Sequence, residues 1–156
     1  MMKRVDKIDT KIVRLLQKNG RLTNTAIAKK VGISEATVRN RIQRLIKEGF
    51  IEIIAIAVPH KLGFEIMGCM TIKVDKKAEL NVIDELDRIN EVWYIVHTAG
   101  ALDFILEYAV RNGRELDALL NKIRDIEGVT HIDTSFIRKT IKTGYEWWPG
   151  EIEVNS

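Results

Sequence analysis

The 156-residue sequence predicts an α+β protein in two parts. Residues 1–57 read as a three-helix, winged helix-turn-helix unit, and residues 63–143 as a ferredoxin-like βαββαβ unit. Three observations carry this. The stretch Thr23 to Lys47, TNTAIAKKVGISEATVRNRIQRLIK, reads as two short helices joined at Gly32. Basic residues are crowded into the first third of the chain. The remainder repeats one helix–strand pattern at an offset of 37 residues, with an apolar strand before each copy.

In chain order, the first helix can start at Asp6 or Asp9, carries Ile8, Ile12, Leu15 and Leu16 on one face, and stops at Asn19-Gly20. The second opens at Thr23 with Ala26, Ile27 and Val31 as its apolar stripe. Gly32 tolerates the left-handed backbone that ends a helix. Ser34 is placed to cap the third helix, whose Val38, Ile42, Leu45 and Ile46 recur at helical spacing. Its other face carries Glu35, Thr37, Arg39, Asn40, Gln43, Arg44 and Lys47. Gly49 closes the helix, and the β-branched run Phe50 to Val58 predicts a hinge strand that Pro59 stops. The domain boundary falls between Ala57 and Gly63.

The second part contains Ile89-Asn90-Glu91-Val92 and Ile126-Glu127-Gly128-Val129, and at the same offset Val82, Ile83 and Leu86 match Leu119, Leu120 and Ile123. Ile66 to Val74 and Phe104 to Val110 are the apolar segments that precede the two copies. Four antiparallel strands with both helices on one face result. Met67, Cys69, Thr71, Trp93, Ile95, Ile105, Ile132, Thr134 and Phe136 alternate with the other strand positions, so the face away from the helices is expected to be apolar and to need a partner. A two-fold dimer, sheet on sheet, is the simplest such partner.

Composition narrows the function. A content of 46% hydrophobic and 30% charged residues describes a folded chain rather than a disordered one. The longest apolar run, Ile53 to Pro59, is too short to cross a bilayer, and MMKRVDKID has no apolar stretch behind its basic residues, so no secretory signal is read. A cytoplasmic protein without membrane contact is expected. One cysteine, Cys69, excludes an internal disulfide or a multi-cysteine metal site; no metal and no cofactor is expected. Residues 1–57 hold 13 Lys and Arg against 5 Asp and Glu, a net +8, while residues 58–156 hold 12 against 17, a net −5. The positive excess thus coincides with the helix-turn-helix, as a phosphate-binding module requires.

A helix anchored on one side and basic on the other suits a major groove. Ser34, Glu35, Thr37, Arg39 and Asn40, at its start, are the candidates for base edges; Arg39 fits guanine and Asn40 adenine. Arg41, Arg44, Thr23 and Thr25 are the candidates for phosphates. His60, His97 and His131 are scattered, and no nucleophile, zinc or phosphate-loop motif is present.

DKIDTKIVRLLQKNGRLTNTAIAKKVGISEATVRNRIQRLIKEGFI, followed by HKLGFEIMGCMTIKV, TAGALDFIL and GVTHIDTSFIRKTIK, resembles the Lrp/AsnC family of prokaryotic transcription regulators over residues 5 to about 143. The resemblance implies a double-stranded-DNA-binding regulator that forms dimers, often octamers, and often binds an amino acid between subunits. Carried onto this sequence, the effector residues are Thr98, Ala99, Gly100, Ala101, Leu102 and Asp103, facing Asp117 and Asn121 of the second helix and Ile132, Thr134 and Ser135 of the last strand. Gly100 and Asp103 fit the family's Gly-x-x-Asp, whereas Ala101-Leu102 stands where the family often has a polar pair. A plain β-turn, with Gly100 at positive φ and Asp103 bonding locally, explains the same residues. Siroheme decarboxylases resemble the family in architecture, but their arginine-rich stretch has no counterpart in Phe50 to Val58. An effector-sensing partner with secondary DNA contact is a further reading. Trp147 and Trp148, in a tail over residues 144–156, are expected to pack against the sheet or another dimer.

Overall fold

A computed structural model describes residues 5–142; the Trp147-Trp148 tail lies outside the described residues. The chain divides into two compact units, which meet in sequence at Ile56 and Ala57.

In the first unit α1 (Lys7–Lys18), α2 (Asn24–Val31) and α3 (Glu35–Lys47) enclose Ile12, Ile27, Ala28 and Val38, with Ile8, Leu15, Leu16, Leu22 and Ile42 packed around them. Caps fix where each helix starts. The Asp6 carboxylate accepts from the Asp9 amide while Asp9 accepts from the Asp6 amide, a reciprocal capping box. The Thr23 hydroxyl accepts from Ala26 N–H, and the Ser34 hydroxyl from Thr37 N–H. Gly32, at φ 80°, returns its N–H to the Ala28 carbonyl at 2.8 Å. Ile46, expected in the core, is 44% exposed, because Val38, Ile42 and Leu45 already fill the stripe.

Residues 51–58, expected as a hinge strand, carry no strand among the described residues, and Ile53, Ile54, Ile56 and Val58 are exposed. Side-chain branching favours extended backbone, but a strand needs a second row of N–H and C=O groups. Among the described residues nothing supplies that row here.

The second unit contains β1 (Ile66–Val74), α4 (Glu79–Asp87), β2 (Val92–His97), β3 (Phe104–Val110), α5 (Gly113–Arg124) and β4 (Val129–Phe136). All neighbours are antiparallel, in the order β2-β3-β1-β4. Both helices lie on one face, where Val82, Leu86, Leu116, Leu119 and Ile123 bury Met70, Ile72, Leu106 and Tyr108. Tyr108 is fully buried and its hydroxyl meets Thr134 Oγ1 at 3.1 Å. It fits because Gly68 stands opposite it on β1: a Cβ there would lie 2.4 Å from both the Tyr108 hydroxyl and the Ser135 carbonyl.

Two bulges correct the expected facing of the strands. One lies between Val92 and Tyr94, the other opposite Lys73 and Val74. Each inserts a residue, so the alternation reverses beyond it. Ile95, Ile132, Thr134 and Phe136 therefore share the helix side of the sheet through their pairing with Leu106, Ile72, Met70 and Gly68. The open face instead carries Met67, Cys69, Thr71 and Ile105 with Tyr94, Glu107, Asp133 and His131. On β1 itself it runs from Met67 and Cys69 to Thr71 and Lys73, and it is charged on both sides of β1, more polar than the sequence implied.

Gly68→Ala forces either Tyr108 or β4 to move, and the expected cost is about 1–3 kcal/mol or more. Urea unfolding with an unchanged midpoint would show that the sheet accommodates the methyl.

Candidate nucleic-acid interface and ligand loop

The outward face of α3 begins with a small hydrogen-bonded lattice. Ser34 caps the helix and its hydroxyl meets Thr37 Oγ1 at 2.7 Å. Glu35 accepts from Thr25 Oγ1 at 2.8 Å with one carboxylate oxygen and from Arg39 Nη2 at 3.1 Å with the other. These bonds, the Thr25 hydroxyl first and the Arg39 guanidinium second, hold the Glu35 carboxyl below its ordinary range. Asn40 is exposed beside Arg39. Five expected base-reading residues therefore share one solvent-facing surface at the start of α3. Thr25 joins them, while Thr23 is committed to capping α2.

Arg41 and Arg44 require a correction. Expected at phosphates, they turn toward α1. Arg41 Nη1 donates to Asp6 at 2.6 Å and to Asp9 at 2.8 Å, and Arg44 Nη2 donates to the other Asp9 oxygen. Asp9 is fully buried, whereas the Arg41 and Arg44 side chains are 25% and 34% exposed. The cause is spacing. Arg41 lies three residues after Val38 and four before Leu45, at the edge of the buried stripe. Asp6 and Asp9 are likewise three apart, so the two acids meet the two bases across the α1–α3 contact. The paired i, i+3 spacings were the signal for this cluster, and a reading of α3 alone misses it.

At Asp6 burial pushes the carboxyl up, but the Asp9 amide and the Arg41 guanidinium outweigh it and the net shift is downward. A depressed carboxyl stabilises the fold above its unfolded pKa, and that stability is lost as pH falls through the folded value.

In the second unit, the loop from Thr98 to Asp103 joins β2 to β3. Thr98 N–H donates to the Asp103 carbonyl at 2.8 Å, and the Thr98 hydroxyl donates to the Leu102 carbonyl. Asp103 extends the ladder beyond Phe104: its N–H donates to Ile72 at 3.0 Å and its carboxylate accepts from Val74 N–H at 2.9 Å. That oxygen serves β1. Gly100 is exposed, and a Cβ built on it meets nothing within 4 Å. It is not among the positive-φ glycines, so the turn explanation does not require glycine there. Ala99 and Ala101 are exposed, and Leu102 is half-buried. His97, below the loop, stacks on Phe104 with ring centroids 4.8 Å apart.

The remaining expected ligand residues do not converge on this loop within one chain. Asp117 and Asn121 lie on the exposed side of α5, where Asn121 accepts from Arg124. α5 begins after the far end of β3 and runs back toward the loop end of the sheet, and neither residue bonds to the loop among the described residues. Ile132 packs toward the core and Thr134 bonds Tyr108, whereas Ser135 faces the opposite side opposite Cys69. Adjacent β4 residues cannot all face one ligand.

A family model described as winged helix-turn-helix DNA-binding matches residues 5–52, and one described as the Lrp/AsnC ligand binding domain matches residues 68–147. An HTH-type transcriptional regulator of Pyrococcus abyssi is 35% identical over 143 residues, covering 90% of each chain. The HTH-type transcriptional regulator FL11 of Pyrococcus furiosus is 32% identical over 139 residues, 88% of this chain and 92% of its own. The fold is shared with a transcriptional regulator of Neisseria meningitidis crystallised with L-Met, 24% identical, at a TM-score of 0.85, covering 92% of this chain and 96% of that one. It is shared also with E. coli AsnC, 24% identical, at 0.81, covering 90% and 97%.

Asp9→Ala takes the carboxylate from Arg44, leaves Arg41 to Asp6 alone and opens the capping box, and is expected to cost about 2–4 kcal/mol; a calorimetric loss below about 1 kcal/mol would assign the fixing of α3 to the apolar core. For Asp6, the stability difference between wild type and Asp6→Asn is expected to be constant near neutrality and to shrink below about pH 4. A difference that persists unchanged to pH 2 would show that the carboxylate charge is not what matters.

Proposed function

The chain belongs to the Lrp/AsnC family of DNA-binding transcriptional regulators, which are not enzymes, and from that premise we propose how it works. It acts in the cytoplasm as a two-fold dimer on double-stranded DNA, with higher assembly to octamers, and an amino acid bound between subunits modulates it. The observation that carries the DNA reading is the exposed lattice Ser34-Glu35-Thr37-Arg39-Asn40 at the start of α3, on the unit that holds the positive excess. Two features support the dimer: the sheet face opposite the helices, where Met67 and Cys69 of β1 lie open, and the exposed β-branched segment 51–58, which has no ladder partner among the described residues. A second copy supplies both. Two-fold symmetry places two reading helices about one duplex turn, ~34 Å, apart or a multiple of it.

The ligand reading rests on the loop 98–103. Its exposed, side-chain-free Gly100 lets a small carboxylate approach backbone N–H groups. Asp117 and Asn121 on the exposed side of α5 make no hydrogen bond to that loop among the described residues, and a second subunit supplies the facing residues. The L-Met found with the Neisseria relative is the kind of ligand that such a site takes. Asp103 clamps β1 through the carboxylate oxygen that holds Val74 N–H, which fixes the end of the loop.

Thermal-shift screening of the twenty amino acids tests this. A ligand at one hundred times its Kd adds about 2.7 kcal/mol, so at least one amino acid is expected to raise the melting temperature. Gly100→Val is expected to abolish the rise while leaving the unliganded melting temperature unchanged. A flat screen, or a rise that survives Gly100→Val, contradicts the site.

A further inference from the structure

We propose that Glu35 is a specificity-determining residue: it makes the reading helix reject phosphates and accept only base edges that pair a donor with an acceptor. The inference rests on the DNA reading above.

Glu35 is the only acid on α3, among Arg39, Arg41, Arg44 and Lys47. On a surface that must approach a polyanion, it costs affinity for every duplex. Folding explains it only in small part, through an exposed acid in the first turn of α3. Ser34 already caps the helix, and an exposed Glu–Arg pair, with side chains 45% and 55% accessible, contributes little to stability. What the carboxylate does is occupy two exposed partners. It takes the Thr25 hydroxyl from α2 at 2.8 Å and the Arg39 guanidinium at 3.1 Å.

Two consequences follow for recognition. First, with Arg41 and Arg44 committed to Asp6 and Asp9, Arg39 is the cation of the first turns of α3 that faces solvent, and Glu35 neutralises it. A phosphate offers acceptors only: it can take Arg39 from Glu35, but it then leaves the Glu35 carboxylate without that donor and beside a second anion. Secondly, the pair presents donor N–H groups beside an acceptor carboxylate on a fixed frame. In the major groove guanine offers the O6 and N7 acceptors and cytosine the N4 donor. A base edge of that kind satisfies Arg39 and Glu35 together without separating them.

Glu35→Gln tests this, since it keeps the shape and an acceptor for Thr25 and removes the charge. Binding is measured by fluorescence anisotropy on two duplexes of equal length. One is selected from a random pool by the wild-type protein, the other is of random sequence, and salt runs from 50 to 200 mM. Glu35→Gln is expected to tighten random-duplex binding about five- to tenfold and to steepen its log K against log salt slope by about 1 for each bound subunit, as Arg39 gains a phosphate. The selected duplex gains less, so discrimination falls. Thr25→Ala, which keeps the charge, is expected to leave the random duplex no tighter than for wild type. Equal change on both duplexes, an unaltered salt slope, or Thr25→Ala matching Glu35→Gln overturns the proposal while leaving the DNA reading intact. Failure of the wild-type protein to bind any duplex overturns both.

Discussion

The first unit depends on one buried carboxylate. Asp9 is fully enclosed, and a carboxylate without partners in such a place would cost several kcal/mol. Its oxygens are met by the Asp6 amide, Arg41 and Arg44. Those partners lie on two helices, so satisfying the charge and fixing the angle between α1 and α3 are the same event. The apolar cluster around Ile12, Ile27 and Val38 supplies burial but little direction; the ion cluster supplies the direction. Two of the recognition helix's cations thereby serve the fold, and the reading surface is left to its first turns.

The second unit is organised by a different constraint, the room that one glycine leaves for one tyrosine. Gly68 admits the ring of Tyr108, whose hydroxyl then reaches Thr134 across β1, tying together three strands. Asp103 adds a rung beyond the end of β3 by holding the Val74 amide. The loop that begins at Thr98 thus grows from a rigid base while Gly100 stays open to solvent. A ligand contact placed there is coupled to the end of β1 through a backbone hydrogen bond.

Local chemistry made the helices legible. Asp6, Thr23 and Ser34 each announce a helix start a few residues from the groups they cap, and Gly32 announces an end. The βαββαβ order was legible for the same reason, since the 37-residue offset is a pattern along the chain. What stayed hidden was non-local. A strand at residues 51–58 needs a partner that no sequence window contains. The facing of Ile95, Ile132 and Thr134 depends on two bulges, each of which reverses an alternation that looks unbroken in sequence. Arg41 looked like surface because it is charged, although its spacing from Val38 and Leu45 placed it at the edge of the buried stripe, facing α1. Of the residues expected at a ligand, 98–103 form one connected loop, but Thr134 and Ser135 were grouped by adjacency where the pleat separates them.

The division of labour on α3 is the central claim: Arg41 and Arg44 hold the helix, while Glu35 and Arg39 read. A crystal structure of the protein on a duplex selected from random DNA tests it most directly. Arg41 and Arg44 are expected to remain on Asp6 and Asp9, with Arg39 and Glu35 at base edges. Arg41 and Arg44 on phosphates, with Asp9 left to the Asp6 amide alone, would contradict it.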